Sequence, residues 1–467
     1  MVLLLGIGSA CGSRTGPVSV TAAAVRASPN NALSAVLSAN IRYASQAHVN
    51  YAAADLPPES TPEFAVAAGA VSLPVLGLMP DTDYEMWITA SAPDGSSSDG
   101  PPVRFKTGAL PPDLPVFNVD QRGELEPGYT MVAWIGLGGQ LQRPQAIPAI
   151  IVDAAGHVVW YRQLQNWITD WQEQPDGTYT AAVNSIQVPD FESPANLYFQ
   201  LDRQGEILRT WSAIGGWLTD DHELRLLPNG DALIMAINQT TMDLRPWGGS
   251  SRGTVLGNIL QRVDADGQVL FSWNALDRLS IDATDPLALS QLTEASTLDF
   301  THANAIDLTA DGNYLVSMRH LSQIIKIDSQ NGDIIWKLGG ADSDFAFEAD
   351  PLGGFSFQHA IRELPSGNLL LFDNGNGHRP PQSRAVEYAL DLDRRVATLV
   401  WQFNPQPHLF GSAMGFTQRL PNGNTLITYG FLPRVQEVNA SGQVLWDLRA
   451  PEGTGWIYRA IRIPSLY

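Results

Sequence analysis

The stretch Val152-Asp153-Ala154-Ala155-Gly156-His157-Val158-Val159-Trp160 decides the fold, because its pattern returns along the chain. Segments of the same type, Val-Asp-x-x-Gly-x-Val-x-Trp, run from Leu201 to Trp211, Val263 to Trp273, Ile327 to Trp336, Leu392 to Trp401 and Val438 to Trp446, which makes six copies. Where the pattern is complete, a turn of the Pro-Asn-Gly type and a strand precede each segment. Repeats of strand character spaced by roughly 35 to 65 residues are the periodicity of a β-propeller, and no 3.6-residue helical period accompanies them. The sequence therefore predicts six blades. The segment Trp456-Ile457-Tyr458-Arg459-Ala460-Ile461-Arg462-Ile463 reads as an inner blade strand without an outer half. The first copy, from Tyr129 to Trp160, has an outer half without an inner strand, so the two are expected to complete one another and close the ring. The recurrent Trp160, Trp211, Trp273, Trp336, Trp401 and Trp446 are expected to pack between blades rather than to form a ligand-stacking ring.

Ahead of the repeats, short alternating stretches such as Glu85-Met86-Trp87-Ile88-Thr89 predict a small β-sandwich over residues 17–108. Leu78-Met79-Pro80-Asp81-Thr82-Asp83-Tyr84 resembles the tyrosine corner of fibronectin type III and immunoglobulin-like domains. Residues 109–128, opening with Ala109-Leu110-Pro111-Pro112-Asp113-Leu114-Pro115, read as a stiff linker, and residues 129–467 as the propeller. The fold class expected is all-β. The first residues, MVLLLGIGSAC, resemble a lipoprotein signal over residues 1–16, with Cys11 as the lipidated residue. A periplasmic or cell-envelope location and a lipid anchor follow as expectations. Exported protein would work without ATP or other cytosolic cofactors.

Composition narrows the function. Of 467 residues, 28 are Lys or Arg and 48 are Asp or Glu, a formal charge of −20. Nucleic acid is a poor partner for such a chain, because phosphate neutralisation needs clustered cations. The single cysteine rules out an intrachain disulfide and a cysteine-based metal centre. Charged residues make up only 16%, and 41 glycines, 32 prolines and 13 tryptophans point to a turn-rich, aromatic-packed protein.

Counting back eight residues from the turn glycine of each repeat reaches one equivalent place, the start of the strand nearest the axis. The count gives Thr169 from Gly177, His222 from Gly230, Asn304 from Gly312, His359 from Gly367 and Gly415 from Gly423. Thr417 lies two along from Gly415, and Arg459 takes the sixth place by its match to His359. His302 shares a strand face with Asn304. Arg319, seven residues past Gly312, should return to the rim beside His302. A structural histidine would recur at this place in most blades; here the residue varies, as a shared site demands. His320 is expected on the opposite strand face and His378 in a loop. Three imidazoles can hold zinc, an alternative that an arginine at the same mouth opposes, so no metal and no cofactor is expected. Imidazole and guanidinium groups with no carboxylate pair suit an anionic substrate and group transfer, one neutral histidine acting as nucleophile.

Thr301-His302-Ala303-Asn304-Ala305-Ile306, Asp311-Gly312-Asn313-Tyr314-Leu315-Val316-Ser317-Met318-Arg319, Ile335-Trp336-Lys337-Leu338-Gly339-Gly340 and Phe357-Gln358-His359-Ala360 resemble the core of the bacterial arylsulfate sulfotransferase family. The resemblance covers about Tyr129 to Tyr467. It implies a six-bladed propeller that moves a sulfuryl group from an aryl sulfate ester to a phenolic acceptor by a ping-pong route, without the nucleotide sulfate donor. It implies transient sulfation of His359, and matches His302 and Asn304, Arg319 and His222 to the family's other site residues. The roles expected are attack on sulfur by His359, contact of Arg319 and His302 with the sulfuryl oxygens, and proton transfer by His222 or His302, with Asn304 orienting them. Arg459, Thr417 and Thr169 are expected to contact substrate. The competing readings are a non-catalytic ligand-binding propeller lipoprotein and a sulfatase-like or metal-dependent ester hydrolase.

Overall fold

The periodic Asp and Gly of the repeat are turn chemistry. In the computed structural model, which describes residues 16–54, 56–136, 147–164, 166–186, 195–293 and 297–467, the regular secondary structure is almost wholly strand. At the first repeat the Asp153 carboxylate accepts from the main-chain N–H of Ala155 and of His157, both at 2.9 Å. Gly156 closes the turn at φ +85°, a left-handed conformation that costs a residue with a Cβ about 1–2 kcal/mol. The same capped turn recurs at Asp202 with Gly205, Asp264 with Gly267 and Asn439 with Gly442. Each sits beside a register shift in the strand pairing, the bulge such a turn imposes.

The tryptophan that ends four of the six segments points sideways. Trp160 Nε1 donates to Arg203 O at 2.9 Å, Trp273 to Gly332 O at 3.0 Å and Trp401 to Ala440 O at 3.1 Å. Trp446 donates to Ala154 O at 2.8 Å. Each acceptor belongs to the turn of the following sheet, and the last returns to the first. Apolar side chains fill the same seams: Leu260 and Trp273 pack with Tyr314, Val316 and Ile325. Each such burial contributes about 2–3 kcal/mol.

Contacts divide the chain into two compact units, one up to Pro112 and one of Asp113–Leu466. The second contains six sheets among the described residues, antiparallel but for one short parallel strand in each of two. Their first strands are Ile168–Glu173, Leu218–Leu226, Ala303–Leu308, His359–Glu363, Phe416–Arg419 and Gly455–Ile463. Each lies against the next, and Gly455–Ile463 lies against Ile168–Glu173 again. Gly455–Ile463 pairs with Tyr129–Gly136, so one sheet is built from two distant parts of the sequence. Part of the expected linker is sheet: Asn118–Gln121 pairs with Val444–Arg449 as a fifth strand, because an outer strand without it would leave its ladder groups unpaired.

The first unit has a sheet of Ser19–Ala27, Ala35–Arg42 and Gly69–Val75, and a second centred on Gln46–Ala53 and Asp83–Ser91. Val20, Leu37, Ile41, Val49, Leu73, Met86 and Ile88 form its core. The Tyr84 hydroxyl accepts from the Met79 N–H at 2.9 Å. Cys11 lies outside the described residues. No helix among them is long and apolar enough to cross a membrane.

Candidate active site

Five of the six first strands break register, and the breaks are where the chemistry gathers. The shifts fall between Thr169 and Gln172, Thr219 and Leu224, Ala303 and Ala305, His359 and Arg362, and opposite Tyr458 and Arg459. A bulge turns a side chain away from the strict alternation of a strand and is common beside functional sites. Asp170, His302 and Ala360 take φ of +42°, +45° and +64° there, strained backbone that the surrounding sheet must over-determine.

His222 and His302 meet edge to face with ring centroids 4.9 Å apart. Each is backed by a carboxylate. His222 Nδ1 is 2.7 Å from Asp220 Oδ1, with Asp221 at 3.9 Å, and His302 Nδ1 is 2.5 Å from Asp299 Oδ2. Burial opposes a charge on His222, but Asp220, Asp221 and Asp299 outweigh it and hold its pKa up at about 9. Burial would raise Asp299, yet His302, His320 and His222 hold it down at about 2.

His359 is placed differently. It is 4% exposed, and its Nδ1 lies 2.8 Å from Asn374 Oδ1. The Asn374 amide nitrogen donates to Gly411 O at 2.6 Å and to Met414 O at 3.0 Å. That fixes the amide, so its oxygen accepts and His359 carries its proton on Nδ1. The lone pair is left on Nε2. Burial, and then the nearby Arg319, His222 and His302, push this histidine well below its usual 6.5. His359 is a neutral imidazole near the cationic Arg319 and His222.

Arg319 N–H donates to His302 O at 3.2 Å. Its guanidinium lies 4.7 Å over the Phe357 ring, Nη2 donates to Ser412 O at 2.8 Å, and Nη1 is 2.7 Å from His320 Nε2. Its Nε is buried without a partner. Burial lowers its pKa to about 10, which leaves it charged at neutral pH. Asn304 donates through Nδ2 to Gln358 O at 2.8 Å, and its Oδ1 is buried without a partner.

Of the three residues expected to contact substrate, two are engaged by the protein around His222 and one lines another cavity. Arg459 is engaged by Asp170 and, at 3.0 Å, by Glu223, whose carboxylate also binds Arg362 and accepts from Ile306 N–H at 2.7 Å. Its charge is consumed by a buried network that joins five first strands, which corrects the expectation of an open guanidinium. Thr169 donates its hydroxyl to Asp221 O at 2.8 Å and so supports the His222 segment. Thr417 lines a separate cavity of about 220 Å³ with Arg225, Arg362 and Arg419. Its strand has no bulge, and at Gly415, at φ +100°, a Cβ would stand 2.5 Å from the Phe372 ring.

Sequence reading missed four residues. Asp220 and Asp299 each back a histidine, and their signal was an acid two or three places before it. Asn374, in the stretch Leu371-Phe372-Asp373-Asn374-Gly375 downstream of His359, is of a residue type that by itself names no role. His320 joins the cluster, 4.5 Å from His302, because Arg319–Leu321 is a 3₁₀ turn in which strand alternation has ended. Two sets have ligand atoms close enough to hold a cation, Asp299 with His302 and His320, and Asp220 with Asp221 and His222. In both, imidazole Nδ1 faces an oxygen at hydrogen-bond distance, a proton-bridged arrangement.

The model of the arylsulfotransferase (ASST) family matches residues 196–451, a span that holds His222, His302, Asn304, Arg319, His359 and Asn374. This chain belongs to the arylsulfotransferase family. Among curated proteins nothing matches. Among solved structures, a Bacteroides caccae protein of unknown function is 16% identical over 72% of this chain and 98% of its own chain, with a TM-score of 0.44. A catalytically inactive virginiamycin B lyase from Staphylococcus aureus with quinupristin is 10% identical over 70% and 87%, at 0.37. Kuenenia stuttgartiensis hydrazine synthase is 10% identical over 65% and 80%, at 0.37.

Proposed function

We propose that this chain is an aryl-sulfate sulfotransferase, independent of a nucleotide sulfate donor, in which His359 carries the sulfuryl group from an aryl sulfate ester to a phenol. The observation that carries the reading is the His359–Asn374 pair, which presents an unprotonated Nε2 beside Arg319, His222 and His302. A buried base kept neutral next to fixed cations suits attack on an anionic ester.

In the first half-reaction the Nε2 lone pair attacks sulfur, and the sulfur–oxygen bond to the aryl group breaks as the nitrogen–sulfur bond forms. The departing phenoxide takes a proton from His222, which Asp220 keeps protonated at neutral pH. In the second half, neutral His222 removes the proton of an acceptor phenol. The phenoxide attacks sulfur, and the nitrogen–sulfur electron pair returns to His359. Arg319 and His302 hold the sulfuryl oxygens, the buried Nε–H of Arg319 being the donor with no protein partner. Asn304 cannot serve there, because its unpartnered atom is an acceptor; it takes a hydrogen bond from a histidine N–H or the acceptor hydroxyl. A loose in-line sulfuryl transfer depends mainly on such positioning and charge.

The proposal includes the architecture, a six-bladed propeller over residues 129–467 and a fibronectin III-like sandwich over residues 17–108. The cycle of first strands and the Tyr84 hydroxyl on Met79 support it. It also includes a lipid on Cys11 and an envelope location, tested by palmitate labelling of wild type and Cys11→Ala.

The test of function is peptide mass analysis after incubation with p-nitrophenyl sulfate alone. An acid-labile sulfuryl adduct on the peptide that spans His359, lost in His359→Asn and discharged by added phenol, is the expected result. Turnover by His359→Asn at the wild-type rate would overturn the assignment.

A further inference from the structure

His320 makes two hydrogen bonds whose polarity can be read from the partners alone. Its Nδ1 lies 2.6 Å from Asp299 O, and a carbonyl only accepts, so Nδ1 bears the proton. Its Nε2 lies 2.7 Å from Arg319 Nη1, and a guanidinium only donates, so Nε2 bears the lone pair. The two contacts select one tautomer of one neutral ring. That ring lies tilted against His302, with centroids 4.5 Å apart, and against Phe357 at 5.7 Å.

The remaining contacts of Arg319 show what this ring does. Ser412 O takes Nη2, and Phe357 covers the face of the guanidinium. His320 supplies the third hold, on Nη1, and leaves Nε as the donor without a protein partner. An aspartate or glutamate at this point would fix the arginine equally well but would cancel its charge. Elsewhere in the same unit, buried arginines are held by carboxylates, as Arg459 is by Asp170 and Glu223, and Arg384 by Asp350 and Asp373. Arg319 is held by a neutral acceptor and two groups of no net charge.

We propose that His320 is a positioning residue for sulfuryl recognition: its unprotonated Nε2 orients the Arg319 guanidinium toward the anion without neutralising it. The inference rests on the sulfotransferase reading for the identity of the anion, and on the hydrogen-bond geometry for the role. The groups that face His320 are Asp299, His302 and Arg319. Burial, with His302 and Arg319, keeps it neutral down to about pH 4, so the acceptor persists across the working range.

Three substitutions separate orientation from charge. His320→Gln places an amide oxygen where it can accept from Arg319, His320→Glu places a charged acceptor there, and His320→Leu removes the acceptor. The affinity of each for p-toluenesulfonate, an unreactive aryl sulfonate, is measured by calorimetry, with melting curves as the check on folding. Rates with p-nitrophenyl sulfate and phenol are measured in parallel. His320→Gln should bind within ~3-fold of wild type, while His320→Leu and His320→Glu should each bind at least ~10-fold more weakly, the worth of one charge-assisted contact. The loss in kcat/KM should follow the same order. Should His320→Leu not fold, the near-isosteric Gln and Glu variants still decide the matter. Equal affinity of Glu and Gln variants, or wild-type affinity in His320→Leu, would overturn the role. Wild-type protein that binds the sulfonate and transfers nothing would sink the transferase reading while the affinity series still scored His320. Wild-type protein that binds no sulfonate would overturn both.

Discussion

Replacing Asn374 by Asp should move the acid limb of the pH–rate profile without removing His359. In the wild type the Asn374 oxygen accepts from His359 Nδ1 at 2.8 Å, and the amide nitrogen is committed to Gly411 O and Met414 O. The substitution keeps the acceptor and adds a negative charge about 4 Å from the centre of the ring. At an effective dielectric near 20, opposite charges at that separation attract by about 4 kcal/mol, or roughly 3 pKa units at 1.36 kcal/mol per unit. The wild-type ring sits well below 6.5, so its attack should be insensitive to acidification from pH 8 to 6. In Asn374→Asp the limb should move up by roughly 3 units, so that kcat/KM for p-nitrophenyl sulfate falls on acidification at pH values where the wild-type rate is still flat. The new carboxylate also faces two carbonyls, and two lost donors should cost ~2–3 kcal/mol, visible as a lower melting temperature. The assay is the initial rate of nitrophenol release from pH 5 to 9.5 on protein shown to be folded. A folded Asn374→Asp enzyme whose acid limb coincides with that of wild type would refute the claim that this bond sets the protonation state of the nucleophile.

Asp220→Asn removes the counter-charge that outweighs the burial of His222; the alkaline limb of the same profile, expected near pH 9 in wild type, should shift down by ~2 units. Stability should peak near neutrality. His222, raised from 6.5 to about 9, contributes stabilisation that is complete below pH 6.5 and lost as pH climbs through 9. His320, lowered to about 4, contributes stability that is complete above 6.5 and lost as pH falls toward 4. Each amounts to at most ~3 kcal/mol, and thermal melts at pH 4.5, 7 and 9.5 test both arms. Glu223→Gln leaves Arg362 and Arg459 short of charge in a buried site and should cost ~3–5 kcal/mol, read from urea denaturation; a change under 1 kcal/mol would show that the network is not a stabilising hub.

The repeat was legible because its residues answer local demands. An Asp that caps a turn and a Gly at positive φ are required wherever the hairpin occurs, so their spacing survives in the sequence as a period. The count of eight from each turn glycine reached His222, Asn304 and His359 because the hairpin between turn and axis has constant length. What could not be read lies where that regularity breaks. Asp220 and His222 act as a pair because the strand bulges between Thr219 and Leu224, and His320 reaches His302 because a 3₁₀ turn replaces the strand. Arg459 was assigned to substrate because its partners, Asp170 and Glu223, are contributed by two other sheets, a pairing that exists only in three dimensions. Asn374 gave a residue type without a direction; only the carbonyls of Gly411 and Met414 show which atom faces His359.

The strand Gly455–Ile463 closes the cycle of sheets and also reaches into the histidine cluster. Its Tyr458 hydroxyl donates to His222 O at 2.9 Å, and its Arg459 grips the segment that carries His222. A partly assembled ring therefore lacks two props of the His222 segment, and on the proposed mechanism competence arrives together with closure. Turnover should thus report on completion of the barrel of sheets: a protein nicked or misregistered at that seam would retain most of its secondary structure and lose its chemistry first.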